Sequence, residues 1–130
     1  VLVKANLRHW RPGTRDLTEL QLKACDFRGA ELDGVDFSGA NLTLGTFTGA
    51  SLRNARFDNA DLEGADFSGA DLTGAHFSNN FLSATTFIRG DRPLLGFDGM
   101  TMLAPDGLLE DQRAYLETLD GVLLELESPH

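Results

Sequence analysis

The sequence of 130 residues predicts an all-β solenoid of about five coils with an α-helical cap at its C-terminal end. Three observations predict this fold. A five-residue repeat runs through most of the chain, Gly or Asn recurs at one position of that repeat, and a tail with helical spacing follows the last repeat.

The repeat centres are leucine and phenylalanine residues that alternate strictly at intervals of five. These fourteen centres are Leu22, Phe27, Leu32, Phe37, Leu42, Phe47, Leu52, Phe57, Leu62, Phe67, Leu72, Phe77, Leu82 and Phe87. The residue two before the centre is Ala in eight repeats, and the residue two after it is Gly in seven and Asn in three. A period of five matches neither the 3.6 of a helix nor the 2 of a strand.

Each repeat is interpreted as a short extended edge followed by a corner. In extended chain, residues two apart point to the same side, so Ala60 and Leu62 face inward while Asp61 faces outward. The corner residue, such as Gly64, needs a positive φ, which Gly and Asn tolerate best. Successive coils then stack at roughly 4.8 Å, the spacing of neighbouring strands.

The alternation of Leu and Phe favours four edges per coil. It repeats every ten residues, so a coil of twenty places Leu over Leu and Phe over Phe. A coil of fifteen would place Leu over Phe, and like-on-like ladders pack more uniformly.

The motif Ala-Asp-Leu/Phe-x-Gly occurs three times in succession, in residues 60–64, 65–69 and 70–74. It resembles the repeat of the pentapeptide-repeat family, and the resemblance covers at least residues 20–89. It implies a right-handed quadrilateral β-helix. A fold does not fix a function, so the function has to be argued from the surface.

The register extends from Leu2 to Met102, with breaks at Pro12 and Arg92. Trp10 is predicted to plug the open N-terminal end, and a bulge is predicted around residues 89–94. The sequence therefore predicts a β-helix over residues 1–104 and a C-terminal helix and tail over residues 105–130.

The tail carries more apolar residues than a short cap needs. Residues 105–107 suit a helix start and Gly121 a helix end. The cap or dimerisation helix is expected to use Leu108, Leu109, Leu116 and Leu119. Folding over the last coil and homodimerisation both remain open, and the resemblance favours a dimer.

The sequence predicts no catalytic, cofactor or metal site. The histidines His9, His76 and His130 have no partner ligands at metal-binding spacing, and the glycines follow from corner geometry rather than from a phosphate loop. Cys25 occupies an inward position and is expected to be a buried, inert thiol. We therefore expect a protein that is not an enzyme.

The charge balance restricts the partners. The net charge of −9 argues against direct binding of nucleic acid, and no apolar run is long enough to span a membrane. Residues 1–104 carry ten basic and thirteen acidic side chains (−3), and residues 105–130 carry one and seven (−6). A single cysteine favours the cytoplasm, although a secreted effector stays possible.

Three apolar residues stand where polar ones are expected: Phe81 and Ile88 at outward positions and Leu44 at a corner. They are predicted to form either a dock for the C-terminal helix or a patch for a protein partner. The preferred function is a scaffold that presents such a surface to a protein of unknown identity.

Two other functions remain. One is an acidic mimic of DNA that binds DNA gyrase, as in the quinolone-resistance members of the family that the repeat resembles. Against it, a rod of roughly 25 Å should show about fifteen aligned negative charges, whereas the thirteen acidic side chains of residues 1–104 are scattered over four faces. The other is the partner-docking part of a larger secreted bacterial ubiquitin ligase, which the missing initial Met leaves open.

Overall fold

The computed structural model describes residues 2–103 and 105–125. Residue 104, on the predicted domain boundary, and residues 126–130, in the predicted tail, lie outside the described residues. The regular elements are β1 (His76–Ser78), β2 (Thr101–Leu103), α1 (Glu110–Glu117) and β3 (Leu123–Glu125). The three strands form one parallel sheet in the order β1-β2-β3, with Phe77 beside Met102 and Met102 beside Leu124.

Most of the remaining chain is built from single parallel β-bridges between residues twenty apart. One such ladder joins Gln21 to Asn41, Asn41 to Asp61, and Asp61 to Phe81. Equivalent ladders start at residues 26, 31 and 36. Each coil therefore contains four five-residue edges, and the stacked edges form four faces.

The hydrogen-bond ladders assign every edge to one face. Face 1 consists of residues 2–4, 21–24, 41–44, 61–64, 81–84 and 106–109. Face 2 consists of residues 6–9, 26–29, 46–49, 66–69 and 86–88. Face 3 consists of residues 11–14, 31–34, 51–54, 71–74 and 96–99. Face 4 consists of residues 16–19, 36–39, 56–59, 76–79, 101–103 and 123–125.

The core is two ladders of phenylalanine rings beside two ladders of leucine. Rings twenty residues apart are stacked, as in Phe37 and Phe57 at 5.4 Å and Phe57 and Phe77 at 4.7 Å between centroids. Rings ten residues apart meet edge to face, as in Phe57 and Phe67 at 5.4 Å. Aromatic pairs favour both arrangements, and they fill the interior without polar atoms.

The corners have the backbone conformation that the sequence predicts. Thirteen of the fourteen residues two positions after a repeat centre have φ between +54° and +76°. Leu44 is among them, with φ +61°. A leucine in this region costs roughly 1–2 kcal/mol relative to its ordinary conformation, a cost that Gly would avoid.

The predicted bulge is an insertion of five residues. Asp66 pairs with Thr86 twenty residues on, but Asp71 pairs with Gly96 twenty-five residues on. The extra residues form a tight turn closed by the antiparallel bridge between Arg89 and Arg92. The solenoid register resumes after it.

The N-terminal end is covered by Trp10 as the sequence predicts. Its half-buried ring lies 6.5 Å from the ring of Phe27, and its carbonyl accepts a hydrogen bond from the Glu31 amide. In the next coil, the thiol of Cys25 is fully buried.

The C-terminal helix is shorter than the sequence predicts. Leu108 and Leu109 precede it and Leu119 follows it, because the backbone of Asp106 and Leu108 still pairs with Phe81 and Ser83 on face 1. The segment after the helix forms β3, which extends the sheet of face 4. The division at residues 104 and 105 stays a prediction, since β-pairing is present on both sides of it.

Candidate protein-interaction face

Face 1 differs from the other faces in its exposed apolar side chains. Val3, Leu44, Phe81 and Leu109 all lie on it, and their exposed fractions are between 47% and 60%. Elsewhere among residues 2–103 and 105–125 the exposed leucines are Leu20 between faces 4 and 1, Leu95 on the edge of face 3 and Leu123 at the end of face 4. Apolar side chains are thus concentrated on one side of the rod.

The sequence pointed to Phe81, Ile88 and Leu44, and the structure brings two of them onto one face. Phe81 and Leu44 share face 1, two coils apart. Ile88 lies on face 2, half-buried, and its backbone is bound by the side chain of Gln112. Because Phe81 is 60% exposed, the C-terminal helix does not cover it.

Leu44 occupies a position where structure alone favours Gly or Asn. It combines a positive φ of +61° with an exposure of 54%, so leucine gains only the partial burial of its side chain at this position. Its side chain lies over Gly64 of the next coil, where an added Cβ would stand 2.6 Å from Leu44 Cδ2. Leu44 is thus an exposed apolar side chain at a corner position, where a polar Asn would fit the backbone better.

The charged side chains of face 1 are also distinctive. Both lysines of the chain, Lys4 and Lys23, lie there, with Asp61, Glu63 and Asp106 further along the face. None of these five forms an ion pair within the part of the chain that the structure describes. Face 1 is therefore basic in its N-terminal half and acidic in its C-terminal half. These five side chains are available to pair with charges of a partner.

On the other faces, several acidic side chains are paired with arginine. Asp58 on face 4 contacts Arg56 at 2.6 Å and His76 at 2.5 Å. The inserted turn reaches back over face 2, where Arg89 and Arg92 approach Asp66 at 3.2 and 3.9 Å. The fork of arginine suits such fixed pairs better than the flexible lysine stem does.

Two aspartates outside face 1 have lowered pKa values because neighbouring side chains and amides donate hydrogen bonds to them. The guanidinium of Arg28 donates to both carboxylate oxygens of Asp26 and holds the pKa of Asp26 below its ordinary value. The hydroxyl and amide of Thr18 donate to Asp16 and lower its pKa as well. Carboxylates of this kind stabilise the fold above their unfolded pKa and lose that contribution as the pH falls, but exposed ones contribute little.

The remaining surface offers no concentrated chemistry within residues 2–103 and 105–125. In these ranges the structure brings together no set of three side chains that could hold a metal ion, and it contains no helix long and apolar enough to cross a membrane. A depression of about 480 Å³ between faces 3 and 4 is lined mostly by exposed side chains, among them Arg11, Arg15 and Asp33. It offers no water-excluded site.

Three residues stabilise the C-terminal half through hydrogen bonds that the five-residue repeat does not predict. Asn80 replaces a core Ala and donates to the carbonyls of Phe57 and Ala60 at 2.5 and 3.0 Å. Gln112 binds the backbone of residues 87 and 88. The Tyr115 hydroxyl accepts from the Leu94 amide at 3.0 Å.

Comparison with known proteins assigns the repeat. A sequence profile described as pentapeptide repeats matches residues 16–44 and 46–79 in eight copies. The chain belongs to the pentapeptide-repeat family. No curated protein matches the sequence.

Solved structures of pentapeptide-repeat proteins resemble this chain. The chain aligns with QnrB1, a plasmid-mediated fluoroquinolone resistance protein, with a TM-score of 0.59 and 20% identity over 80% of its length. This likeness shows the fold, a right-handed β-helical solenoid, and the chain spans only 56% of QnrB1. A pentapeptide-repeat protein from the thylakoid lumen of Arabidopsis thaliana is 31% identical over 86% of both chains, with a TM-score of 0.49.

Proposed function

We propose that the protein is a non-enzymatic pentapeptide-repeat scaffold that binds a protein partner through face 1. The observation that carries this proposal is the coincidence, on one face, of exposed apolar side chains and charges without internal partners. Protein interfaces combine apolar anchors with charges that complement those of the partner. Faces 2, 3 and 4, where arginine pairs with several of the acidic side chains, offer less to a partner.

In this proposal the rod of about five coils is a rigid support, and α1 with β3 closes its C-terminal end. Leu116 is fully buried on the last coil, and Leu108 and Leu119 pack against the core. Burial of these residues supports a cap rather than a helix held ready for dimerisation. Homodimerisation through the C-terminal segment stays a prediction.

The alternative of a DNA mimic that binds DNA gyrase draws on the likeness to QnrB1, which at 20% identity concerns the fold alone. The ion pairs of faces 2, 3 and 4 disfavour it, because Arg11, Arg28, Arg53 and Arg56 lie among the acidic side chains. A duplex presents one uncompensated charge per roughly 1.7 Å of its axis. The alternative of a docking part of a larger ubiquitin ligase has no structural observation in its favour.

The double variant Leu44→Asn, Phe81→Ser tests the proposed function. We expect its unfolding free energy to equal or exceed that of the wild type, because Asn accepts a positive φ and neither side chain is buried. We expect loss of the proteins that the wild type captures from cells of its native host, measured by quantitative mass spectrometry.

The matched control is Leu95→Asn, which removes an outward leucine that is 73% exposed on the edge of face 3. It should leave the captured proteins unchanged. Equal capture by the wild type and the double variant would refute face 1 as the binding surface. A wild type that captures nothing and does not associate with itself would refute the proposed function as a whole.

A further inference from the structure

The charges of face 1 are ordered in a way that makes the face complementary to itself. Thr43 lies in the third of the six rows of face 1. The Ala24 amide donates to the Thr43 carbonyl, and the Leu44 amide donates to the Glu63 carbonyl, so Lys23 and Glu63 occupy the coils directly before and after Thr43. All three side chains are at the same outward position of their repeats. Lys23 and Glu63 are each roughly 4.8 Å from Thr43 along the rod.

From this order we infer that the partner bound by face 1 is a second copy of this chain, related by a two-fold axis that lies in the plane between the two faces, perpendicular to the rod and level with Thr43. The inference rests on the proposed function and names its partner. A rotation of 180° about this axis brings Lys23 of each copy opposite Glu63 of the other. The interface is isologous, so one pair of residues forms two identical ion pairs.

The same rotation places one apolar side chain of each copy at the contact. Leu44 follows Thr43 in the chain, so the two Leu44 side chains lie beside the axis and approach each other. Thr43 itself is small, so the faces can approach closely.

A different protein would match the charges of face 1 only if its own charges had a particular order. A different protein would need an acidic patch for Lys4 and Lys23 and a basic patch for Asp61, Glu63 and Asp106, in a fixed order. A second copy supplies Glu63 for Lys23 and Lys23 for Glu63 from residues already present. The arginines of the chain all lie outside face 1, so none of them opposes Lys23 in the paired arrangement.

The size of face 1 sets the strength of the dimer. The part of face 1 that a second copy can cover spans four coil steps, roughly 19 Å, and one edge of about 13 Å, which gives a flat area of about 250 Å² per chain. Interfaces below about 1,200 Å² in total are those of weak, reversible complexes. The dimer is therefore expected to form reversibly between about 10 μM and 1 mM rather than to be permanent.

Charge reversal gives the experiment that tests this pairing. Sedimentation equilibrium of the pure protein over that range of concentrations should show a monomer–dimer equilibrium. K23E and E63K should each weaken dimerisation at least about tenfold, because each places like charges opposite one another twice. A mixture of the two variants should dimerise again, because every contact between positions 23 and 63 then joins one acidic and one basic side chain. The double variant K23E/E63K should also dimerise.

Two control variants separate face 1 from other surfaces. R8E reverses a charge on face 2 and should dimerise as the wild type does. Leu123→Ser alters the exposed end of face 4 and should also dimerise, whereas a dimer through the C-terminal segment would be lost in this variant and kept in K23E. A zero-length carbodiimide cross-link should join Lys23 to Glu63 between copies.

A wild type that stays monomeric at about 1 mM would overturn the inference, as would reversal variants that dimerise normally or a mixture that stays monomeric. Because this experiment uses pure protein, its failure leaves the proposed function intact if the double variant Leu44→Asn, Phe81→Ser still loses other captured proteins. Failure of both experiments removes face 1 as a binding surface.

Discussion

Phe57→Ala is expected to lower the free energy of unfolding by about 3–5 kcal/mol. The ring is fully buried, is stacked between Phe37 and Phe77, and meets Phe47 and Phe67 edge to face. The cavity left behind cannot collapse, because main-chain hydrogen bonds fix the coils on both sides of it. Urea unfolding followed by circular dichroism measures the loss, which is a large part of the roughly 5–15 kcal/mol typical of a domain.

Phe97→Ala is the matched control for this core variant. It deletes the same ring at a half-buried position after the inserted turn, so it should cost less than half as much. A second probe is the fluorescence of Trp10 near the other end of the rod. Equal losses for the two variants, or a loss below about 1.5 kcal/mol for Phe57→Ala, would show that the ring ladders do not govern stability.

Gln112→Leu is expected to release the C-terminal helix from the last coil. The buried Gln112 side chain accepts from the Phe87 amide at 2.6 Å and the Ile88 amide at 3.1 Å, and it donates to the Ile88 carbonyl at 3.1 Å. Its amide thus replaces a peptide group of the edge that a further coil would have supplied. Leucine fills the volume but leaves three backbone groups unpaired, each costing about 1–3 kcal/mol.

Hydrogen exchange of the amides of residues 87 and 88 measures this release directly. Both should exchange much faster in Gln112→Leu than in the wild type, while amides of the coil around Leu42 should not change. Arg113→Ala is the control on the same helix, since it removes only an exposed ion pair with Glu117 worth about 0.5 kcal/mol. Unchanged protection at residues 87 and 88 in Gln112→Leu would contradict the assigned role.

The repetitive part of the fold could be predicted because the five residues of each repeat determine its local backbone geometry. Leu62 and Ala60 face inward and Gly64 turns the corner for reasons that lie within five residues. The inserted turn was also visible, since Arg92 falls where a buried residue is required. Local rules suffice wherever each coil contacts only its neighbours.

The sequence predicted the C-terminal helix but not its bounds or the strand after it, because these depend on distant partners. Leu108 looks helical by spacing, yet its backbone pairs with Ser83 of the preceding coil. The strand character of Leu123–Glu125 likewise comes from pairing with β2. The role of Gln112 depends on which backbone groups the last coil leaves open, and a residue spacing contains no such information.

The candidate face was only partly predictable. Phe81 and Leu44 stood out because apolar residues occupied polar positions, and both lie on face 1. Ile88 stood out for the same reason but faces the helix segment instead. What the sequence could not show is how arginines pair with acidic side chains on the other faces, since Arg89 reaches Asp66 only through the folded path of the inserted turn.

The central claim, that face 1 is the face through which this protein binds a partner, is tested most directly by site-specific photo-crosslinking. A photoreactive phenylalanine analogue is placed singly at Thr43, Thr48, Thr73 or Ser38, which occupy the same outward position on faces 1, 2, 3 and 4. Irradiation in native host cells should yield a covalent adduct from position 43 and not from the other three. The adduct's mass identifies the partner, a second copy by our inference. Adducts from the other positions in equal yield, or none from position 43, would contradict the account.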